Sequence, residues 1–389
     1  MPPSTDPLFE RLLAGLEREL PRAVELRHLL HSEPELAHAE ERTAATVAAE
    51  LPVACVTVAR TGLMARVGPA AGAPVVVRAE LDGLPIEERT DAPFRAGNGA
   101  MHACGHDIHM AALVALTRAA HTLGEELPAP LVAVFQPSEE AYPSGAQELA
   151  GAELAALAPR AVVAAHVHPE LPWGAVALDP GAVNASSDSV EIVVEGEPSH
   201  GAYPHLGRDP ILAISQIVVA LHAQVGRRID PHGPAALTVG VIEGGSTENV
   251  IPPRARARAS LRAHRPADRL LLRELVEEVV AGVAAAHGCR ATVTLVPGEP
   301  ALENDPHIVA GARELLSGAG VVPAREWRSC GSDDFAFFAA VAPIAMAFVG
   351  LEGAEGFHVR PLHHPEFLAP DDAVGAVARV QAALYFAAI

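Results

Sequence analysis

Short apolar runs that predict β-strands alternate along this chain with longer segments that predict helices. One helix is predicted to begin near His106, where the apolar residues of MAALVALTRAAHTL follow a loop. Strands that alternate with helices favour an α/β fold with a mostly parallel sheet flanked by helices, and with functional residues at the strand ends. The strands are predicted at residues 74–79 (PVVVRA), 131–136 (LVAVFQ), 161–168 (AVVAAHVH) and 343–350 (PIAMAFVG).

The pattern changes near residue 188, where strands and helices follow one another in the order βαββαβ. This order is typical of a ferredoxin-like unit, and the α/β pattern resumes after Pro300. We therefore predict a catalytic domain in two parts, residues 1–187 and 298–389, and an inserted lid and dimerisation domain at 188–297. Its segments are predicted as a strand at 189–195, a helix at 209–225, strands at 236–243 and 254–262, a helix at 267–287 and a strand at 291–296.

Residues 8–31 have helical periodicity, with apolar side chains at positions such as Leu12, Leu16 and Val24. Proline lacks the N–H group that the interior of an α-helix uses. We therefore predict that Pro21 divides this segment into two helices.

The charge and hydropathy of the chain limit its partners. Its 389 residues are 50% hydrophobic and carry 28 basic and 48 acidic residues, a formal charge of -20, and every basic residue is arginine. This charge argues against binding to a phosphate backbone, so no nucleic-acid partner is expected. The chain begins without a secretory signal pattern, and no apolar run approaches the roughly 18 residues of a membrane span. We therefore expect a cytoplasmic protein with no membrane partner.

The strongest local motif is MHACGHDIH at residues 101–109, in a chain that contains 19 histidines and four widely spaced cysteines. Cys104 and His106 flank a glycine that lets the two side chains converge, and a thiolate and an imidazole are good ligands for zinc-like cations. Asp107 is then a candidate to fix the tautomer of a ligand histidine. The alternative is a buried cysteine beside polar loop histidines.

The second motif is FQPSEE at residues 135–140, where an apolar strand ends and two carboxylates follow. At the end of a buried strand, Glu139 and Glu140 can point into a cleft and divide the work. One would bind metal, and the other would act as general base toward a metal-bound water. Adjacent glutamates in a loop are otherwise solvated.

Two further motifs contain paired histidines. In AAHVHPELPWG at 164–174, His166 and His168 lie on one face if the strand persists. In PLHHPEF at 361–367, His363 and His364 are adjacent near the C-terminus. Each motif alone is also compatible with surface histidines.

These four motifs together resemble one family, the dinuclear-metal amidohydrolases that include aminoacylase, hippurate hydrolase and auxin-conjugate hydrolase and that are related to metal-dependent exopeptidases. The resemblance extends in order over nearly the whole chain. Besides the four motifs, it rests on ELRHLLHSEPELAHAEERTA (25–44), RAELDGLPIEE (78–88), SHGAYPHLGRDPI (199–211), GGSTENVIP (244–252), SLR (260–262) and GSDDFAFF (331–338).

The resemblance implies a centre of two divalent metal ions in each chain. Cys104 would bridge the two ions. His106 and His166 would complete one site, and Glu140 and His363 would complete the other. Zinc fits these ligands best, and manganese, cobalt or nickel are alternatives.

The resemblance also implies the reaction, hydrolysis of the amide bond of a small N-acyl amino acid or a similar amide by a metal-activated water. Glu139 would be the general base, and Asp82 would keep the orienting position. Asn249 and Arg262 would hold a carboxylate of the substrate. His200 would reach the active site of the partner subunit, which implies a homodimer formed through the inserted domain.

The sequence departs from the family pattern at four places. Glu80 stands where this branch usually has aspartate and a sibling branch has a ligand histidine, so its longer side chain should lie close to the metals. The segment AYPSGA replaces a glycine-rich stretch after FQPSEE, and DDF at 333–335 replaces Glu-Asp-Phe. His364 replaces a small polar residue beside His363. These changes concern the substrate more than the reaction.

Three other functions remain open at this point. A dipeptidase or carboxypeptidase would use the same centre on a peptide bond. A cysteine hydrolase would use Cys104 as nucleophile and would be active without metal. A metal-binding protein without catalysis would lack the base, whereas Glu139 is present in the sequence.

Overall fold

The structure is a computed structural model that describes residues 6–389. Over this range the chain forms nine α-helices and sixteen strands, besides three short 3-10 helices. The helices are α1 (Pro7–Ser32), α2 (Glu41–Glu50), α3 (His106–Leu123), α4 (Gly145–Gly151), α5 (Glu153–Leu157), α6 (Pro210–Arg228), α7 (Pro266–Ala286), α8 (Pro306–Gly318) and α9 (Asp372–Ala387). The strands are β1 (Cys55–Val58), β2 (Gly62–Val67), β3 (Val75–Glu80), β4 (Leu131–Gln136), β5 (Ala161–Pro172), β6 (Ala175–Ala177), β7 (Gly181–Asn184), β8 (Ser186–Glu195), β9 (Ser199–His200), β10 (Ala235–Gly244), β11 (Val250–Ile251), β12 (Arg254–Ala263), β13 (Arg290–Pro297), β14 (Leu302–Asn304), β15 (Val322–Pro323) and β16 (Ile344–Glu352).

Three of the helices begin at an Asp-Pro pair. The side chains of Asp6, Asp209 and Asp305 accept hydrogen bonds from backbone N–H groups in the first turns of α1, α6 and α8. The following proline has its backbone angle already set for the helix, and its missing N–H costs nothing at the first helical position. The Asp-Pro pair therefore fixes the N-terminal end of each of these three helices.

Helix α1 is continuous through Pro21, so the prediction that Pro21 divides residues 8–31 into two helices is wrong. An interior proline costs an α-helix about 3 kcal/mol or more. The buried face of α1, which includes Phe9, Leu12 and Leu16, packs against α3 and α9. Burial of each such side chain contributes roughly 1.5–3 kcal/mol, so tertiary packing outweighs the local cost.

The main sheet has eight strands in the order β1-β2-β4-β3-β5-β16-β6-β15. The pairs β4–β3, β3–β5, β5–β16 and β6–β15 are parallel, and the remaining pairs are antiparallel. All residues of β3 and β4 are buried, as expected for parallel strands covered on both faces. Helices α3 and α9 contact β3, and α8 contacts β15 and β16 of the same sheet, so the predicted parallel core flanked by helices is confirmed.

The parallel centre brings several loops to one edge of the sheet. Strands β3 and β4 end at Glu80 and Gln136, and β5 runs parallel to β3. The motifs RAELD, FQPSEE and AAHVH therefore reach this edge together. Ligand sites of open parallel sheets lie at the carboxyl ends of their strands.

The chain divides into two compact units. The first contains the N-terminal residues through Gly181, together with Glu303–Trp327 and Phe337–Ile389; the second contains Ala182–Leu302 and Arg328–Ala336. The predicted domain limits at 188 and 297 therefore differ from these units by a few residues. The segment 328–336 was not predicted to belong to the insertion. The assignment of independently folding domains stays a prediction.

The second unit contains a four-stranded antiparallel sheet in the order β10-β12-β8-β13. Its elements follow the chain order β8-α6-β10-β12-α7-β13, which is the predicted ferredoxin-like βαββαβ arrangement. Helices α6 and α7 contact each other and the sheet. A core that includes Ile192, Ile214, Ile217 and Leu272 fills the space between them.

Helix α6 is, among the described residues, the one helix long and apolar enough to cross a membrane by length and composition. Its buried residues Ala213, Ile214, Ile217 and Leu221 belong to the core of the second unit. The spacing of these residues is that of an amphipathic helix packed against a sheet.

Candidate metal centre

Cys104 and His106 lie at the N-terminus of α3, on either side of Gly105. Gly105 has a φ of 83°, and a Cβ atom at this position would lie 2.5 Å from Cγ2 of Val167. A side chain is therefore excluded at this residue by both conformation and contact. The sharp turn directs Cys104 and His106 toward the same space, and both residues are buried.

Backbone carbonyl groups fix the orientation of two imidazoles. Nδ1 of His106 lies 2.8 Å from the carbonyl oxygen of Asp82, and Nδ1 of His166 lies 2.7 Å from the carbonyl oxygen of Val167. A carbonyl only accepts, so each Nδ1 carries the proton and donates it. In the neutral form of each ring, Nε2 therefore keeps its lone pair, which is the arrangement that a metal-binding histidine requires.

These two lone pairs point toward other candidate ligands. Nε2 of His166 lies 3.5 Å from Sγ of Cys104. Nε2 of His106 is buried without a hydrogen-bond partner among the described residues. Cys104, His106 and Glu140 offer ligand atoms that all lie within 4.8 Å of one another. A thiolate, two imidazoles and a carboxylate form a donor set suited to zinc-like cations, so the residues fit the implied metals.

The FQPSEE loop brings both glutamates to this cluster. The backbone N–H of Glu140 donates to Oδ2 of Asp82 at 2.9 Å, and Oε2 of Glu139 lies 3.8 Å from Nε2 of His106. Oε1 of Glu140 lies 3.1 Å from Nε2 of His363. Asp82 therefore contacts the cluster twice, through its carbonyl group at His106 and through its carboxylate at the loop.

Of the two adjacent histidines near the C-terminus, His363 is the one that lies beside Glu140. Its φ is 65°, and its N–H donates to the carbonyl of Ala103 at 2.9 Å. A positive φ is unfavourable for a residue with a side chain, and such strained residues cluster at functional sites. Nδ1 of His364 instead accepts from the N–H of Glu366 at 3.1 Å.

The carboxylates of the cluster and His106 influence one another. Burial alone would lower the pKa of His106, but the charges of Glu80, Asp82 and Glu140 outweigh it and raise this pKa. Burial raises the pKa of Asp82. Burial would also raise the pKa of Glu140, but hydrogen bonding by His363 and the charge of His106 lower it. The cluster thus concentrates negative charge that attracts cations.

Glu80 and His109 also lie close to His106 and His166, with ligand atoms of all four within 4.8 Å of one another. However, Nδ1 of His109 lies 2.8 Å from Oε2 of Glu80, and Nε2 of His109 accepts from the N–H of Val167 at 3.1 Å. Both nitrogens of His109 are therefore already engaged. Burial would raise the pKa of Glu80, but the charge of Arg78 and the hydrogen bond from His109 lower it well below its usual value.

His200, Asn249 and Arg262 belong to the second unit. His200 pairs with Val250 across β9 and β11, and the N–H of Gly201 donates to the carbonyl of Asn249 at 2.7 Å. Arg262 lies on β12, and its Nη1 donates to Oγ of Ser332 at 2.7 Å. His200 and Asn249 are thus neighbours, and their predicted roles stay proposals.

Sequence reasoning assigned no role to the residues that hold the FQPSEE loop. Ser138 has a φ of 51°, its N–H donates to Oε1 of Glu40 at 2.8 Å, and its Oγ lies 2.8 Å from Nδ1 of His38. The strained turn at Ser138 directs the two following glutamates away from the line of β4. His38 and Glu40 lie in the segment ELAHAEERTA, which is part of the family resemblance. The sequence did not predict that this segment holds Ser138.

Asp107 has other partners than those predicted. It accepts hydrogen bonds from Nε of Arg27 at 3.1 Å and from Nδ1 of His31 at 3.0 Å, whereas Nδ1 of His106 bonds to a backbone carbonyl. The idea that Asp107 fixes the tautomer of a ligand histidine is therefore wrong. Nε2 of His31 contacts Oε1 of Glu88 at 3.1 Å, so His31 lies between two buried carboxylates.

These two carboxylates keep His31 charged. Burial would lower the pKa of His31, but Asp107 and Glu88 outweigh it and raise this pKa to about 9. Burial would raise the pKa of Asp107, but the charges of Arg27 and His31 hold it well below its usual range. The network anchors α1 to the start of α3, directly beside His106.

The chain matches the family described as peptidase family M20/M25/M40 over residues 76–385. An N-acetyl-L-cysteine deacetylase of Bacillus subtilis (strain 168) is 33% identical over 368 residues, which cover 93% of this chain and 86% of the relative. An N-acetyldiaminopimelate deacetylase of Halalkalibacterium halodurans is 33% identical over 347 residues, which cover 87% of this chain and 93% of the relative.

A solved structure is similar over both units. It is the YXEP protein of Bacillus subtilis, described as a dinuclear metal binding peptidase from M20 family. It superposes with a TM-score of 0.83 at 28% identity and covers 95% of this chain and 98% of that chain. The family suggested by the sequence motifs is therefore confirmed.

The charged network around His31 predicts a pH-dependent stability. A folded-state pKa of about 9 lies above the ordinary histidine pKa of 6.5, so protonation of His31 favours the folded state. We expect its contribution, on the order of 3 kcal/mol, to be present in full below pH 6.5 and to be lost as the pH rises to about 9. The measurement is urea unfolding of chelator-treated wild type and His31→Gln between pH 6 and 9.5.

His121→Gln is the matched control, because His121 is an exposed histidine on α3. Its difference from wild type should stay small throughout. A difference between wild type and His31→Gln that does not shrink with rising pH would contradict a charged His31.

Proposed function

Because this chain belongs to peptidase family M20/M25/M40 and its relatives act on amide bonds, we propose that it hydrolyses the amide bond of a small N-acyl amino acid at a centre of two divalent cations. The observation that carries the proposal is the convergence of Cys104, His106, Glu140 and His166, with both imidazole tautomers fixed for metal binding. The names of the curated relatives support an acetyl group as the acyl part.

Five side chains would hold the two cations. Cys104 would bridge them, His106 and His166 would complete one site, and Glu140 and His363 the other. Five ligands with one shared leave positions for water and substrate, as catalytic sites require. We propose zinc as the native metal. Manganese, cobalt and nickel are the alternative metals to compare with zinc.

When bound, the cations supply Lewis-acid chemistry, which polarises the amide carbonyl and lowers the pKa of water. Glu139 accepts the proton of the attacking water while the oxygen bonds to the carbonyl carbon. Glu139 then donates this proton to the leaving nitrogen as the C–N bond breaks. The first products are a carboxylic acid and a free amine, and transfer of the acid proton to the amine gives a carboxylate and an ammonium group. Asp82 keeps His106 and the loop of Glu139 in place.

Residues of the second unit would recognise the rest of the substrate. Arg262 offers two parallel N–H donors that suit a planar carboxylate, and Asn249 would add a further polar contact. His200 would stabilise the oxyanion in the active site of the partner subunit. We therefore propose a cytoplasmic homodimer formed through the second unit.

A dipeptidase is the second candidate, because the matched family is described as a peptidase family. It would cleave a peptide bond at the same centre. Turnover of a free dipeptide and of its N-acetyl counterpart separates the two activities, since a deacylase prefers the acylated compound.

Substitutions of the two adjacent glutamates should have different effects on metal content and on kcat. We expect Glu139→Gln to keep both metals and to lose about a hundredfold or more in kcat, because it removes the base but no ligand. Glu140→Gln should instead lower metal content. Metal content is measured by elemental analysis, and kcat on an N-acetyl amino acid. The reverse pattern would mean that the roles are exchanged, and a wild type that binds no metal would refute the proposed centre.

Arg262 should determine the preference for a carboxylate. We expect Arg262→Ala to lower kcat/KM for an N-acetyl amino acid by about tenfold to a hundredfold, because charged hydrogen bonds are lost, and to change little for the matching amide without carboxylate. Arg258→Ala is the matched control, because Arg258 is exposed on the same face of β12. Equal losses on both substrates would indicate a structural role instead.

Mixed dimers test the partner role of His200. Glu139→Ala and His200→Ala should each be inactive alone. In a mixed dimer one site would carry both defects and the other neither. Random exchange makes about half of the dimers mixed, so about a quarter of wild-type activity should return. Tagged pull-down verifies the exchange, and no recovery in verified mixed dimers would mean that His200 does not act across the interface.

A further inference from the structure

A buried chain of hydrogen bonds leads from strand β3 to His166. Arg78 donates to Oε1 of Glu80, and Oε2 of Glu80 lies 2.8 Å from Nδ1 of His109. The N–H of Val167 lies 3.1 Å from Nε2 of His109. The carbonyl of Val167 in turn lies 2.7 Å from Nδ1 of His166. We call Arg78, Glu80, His109 and Val167 the buried hydrogen-bond chain.

Each hydrogen bond in the buried hydrogen-bond chain has only one possible direction. The N–H of Val167 can only donate, so Nε2 of His109 accepts and Nδ1 of His109 must carry the proton. Nδ1–H of His109 donates a hydrogen bond to Glu80, and the carboxylate of Glu80 also accepts a hydrogen bond from the guanidinium of Arg78. His109 is thereby held as a single neutral tautomer with both nitrogens engaged. Arg78, Glu80 and His109 are each at most 2% exposed, so water does not compete for these bonds.

The position of His109 in the sheet explains why it is needed. The pairing of β3 with β5 ends at Arg78 and Ala164, whereas β5 continues to Pro172. The N–H of Val167 therefore lies three residues beyond the last β3 partner. His109 supplies the acceptor that a neighbouring strand would otherwise provide.

Val167 transmits this restraint to the metal ligands. Its carbonyl fixes the ring of His166, and its Cγ2 lies against Gly105, the residue between Cys104 and His106. The rings of His109 and His166 are also in edge contact, with centroids 4.5 Å apart. A displacement of Val167 would therefore turn Nε2 of His166 away from Cys104.

We propose that Glu80 and His109 are positioning residues that set the orientation of His166 through Val167, and that their loss weakens one metal site while the other is kept. The inference rests on the proposed metal centre, because His166 is a ligand there. Partners that orient a metal-binding histidine typically change metal affinity by 10–100-fold when removed, which sets the expected magnitude.

Glu80→Gln is the decisive variant, because it keeps the shape and removes the charge. An amide has one acceptor oxygen, but Arg78 and His109 both present donors to this position. If the oxygen faces Arg78, the NH2 group opposes Nδ1–H of His109. If that proton moved to Nε2, the Nε2–H of His109 would face the N–H of Val167, and two donors would again meet. The variant therefore leaves at least one buried donor without an acceptor.

The first measurement uses metal-free protein with 15N-labelled histidine. In wild type, NMR should show Nδ1–H tautomers for both His109 and His166, assigned with His109→Gln and His166→Ala. In Glu80→Gln, the His109 signal should change tautomer or broaden, and the His166 signal should shift. Unchanged signals for both histidines would overturn the inference. This readout needs no bound metal, so it judges the inference even if wild type proves not to bind zinc.

The second measurement is zinc binding in competition with a chromogenic chelator. Wild type should bind two equivalents, and failure here would refute the proposed centre rather than the positioning role. In Glu80→Gln, one site should weaken by about tenfold or more while the other changes little. The effect of Glu80→Gln should vanish in a His166→Ala background, because Glu80 acts through His166. Undiminished loss in that background would overturn the inference.

Two further variants separate positioning from general loss of stability. Asp188→Asn is the matched control, because Asp188 is a buried carboxylate held by Arg269 and Arg273 in the second unit. It should lower stability without changing zinc affinity, and equal weakening of zinc binding by both variants would refute a specific role. Glu80→Asp keeps the charge and should retain most of the affinity. If Glu80→Gln does not fold, His109→Gln replaces it, since it removes the rigid ring that joins Glu80 to Val167 but keeps a polar side chain.

Discussion

Two peptide carbonyl groups, those of Asp82 and Val167, determine what the rest of the centre can do. Each accepts a hydrogen bond from an imidazole Nδ1, so that Nε2 of the neutral ring keeps a lone pair for metal. A peptide carbonyl does not titrate in the physiological range and cannot rotate independently of its strand. The direction of both lone pairs is therefore set by the backbone of β5 and of the loop after β3. The sheet, in other words, is the part of the protein that orients the ligands.

Much of this arrangement could be predicted because it follows from local pattern. Uninterrupted apolar runs predicted β3 and β4, and the carboxyl ends of parallel strands must meet at one edge. The alternation RARARASLRA likewise matches β12, whose alanines are buried on one face. Pro21 was mispredicted because its effect is decided by packing between α1, α3 and α9, which no local pattern encodes.

The candidate site was predictable in its ligands but not in its supports. Cys104, His106 and Glu140 stand in short motifs, so their chemistry is visible in the sequence. Asp107 was assigned the wrong partner because Arg27 and His31 are about eighty residues away along the chain. The same holds for the contact of Glu80 with His109, which joins a strand to a helix. Spacing predicts which residues share a loop, and only the fold decides which loops meet.

The order of the strands has a consequence for how the chain acquires its structure during synthesis. Strand β16 lies between β5 and β6 in the main sheet, yet it follows the whole second unit along the chain. Until β16 emerges, β5 has an unpaired edge, and α9, which follows β16 along the chain, is not yet available to cover the sheet. The ferredoxin-like sheet β10-β12-β8-β13 is contained within Ser186–Pro297 and can close earlier. The inserted unit is thus expected to mature first on the ribosome, while the unit that bears the ligands waits for its last strand with an edge open to aggregation.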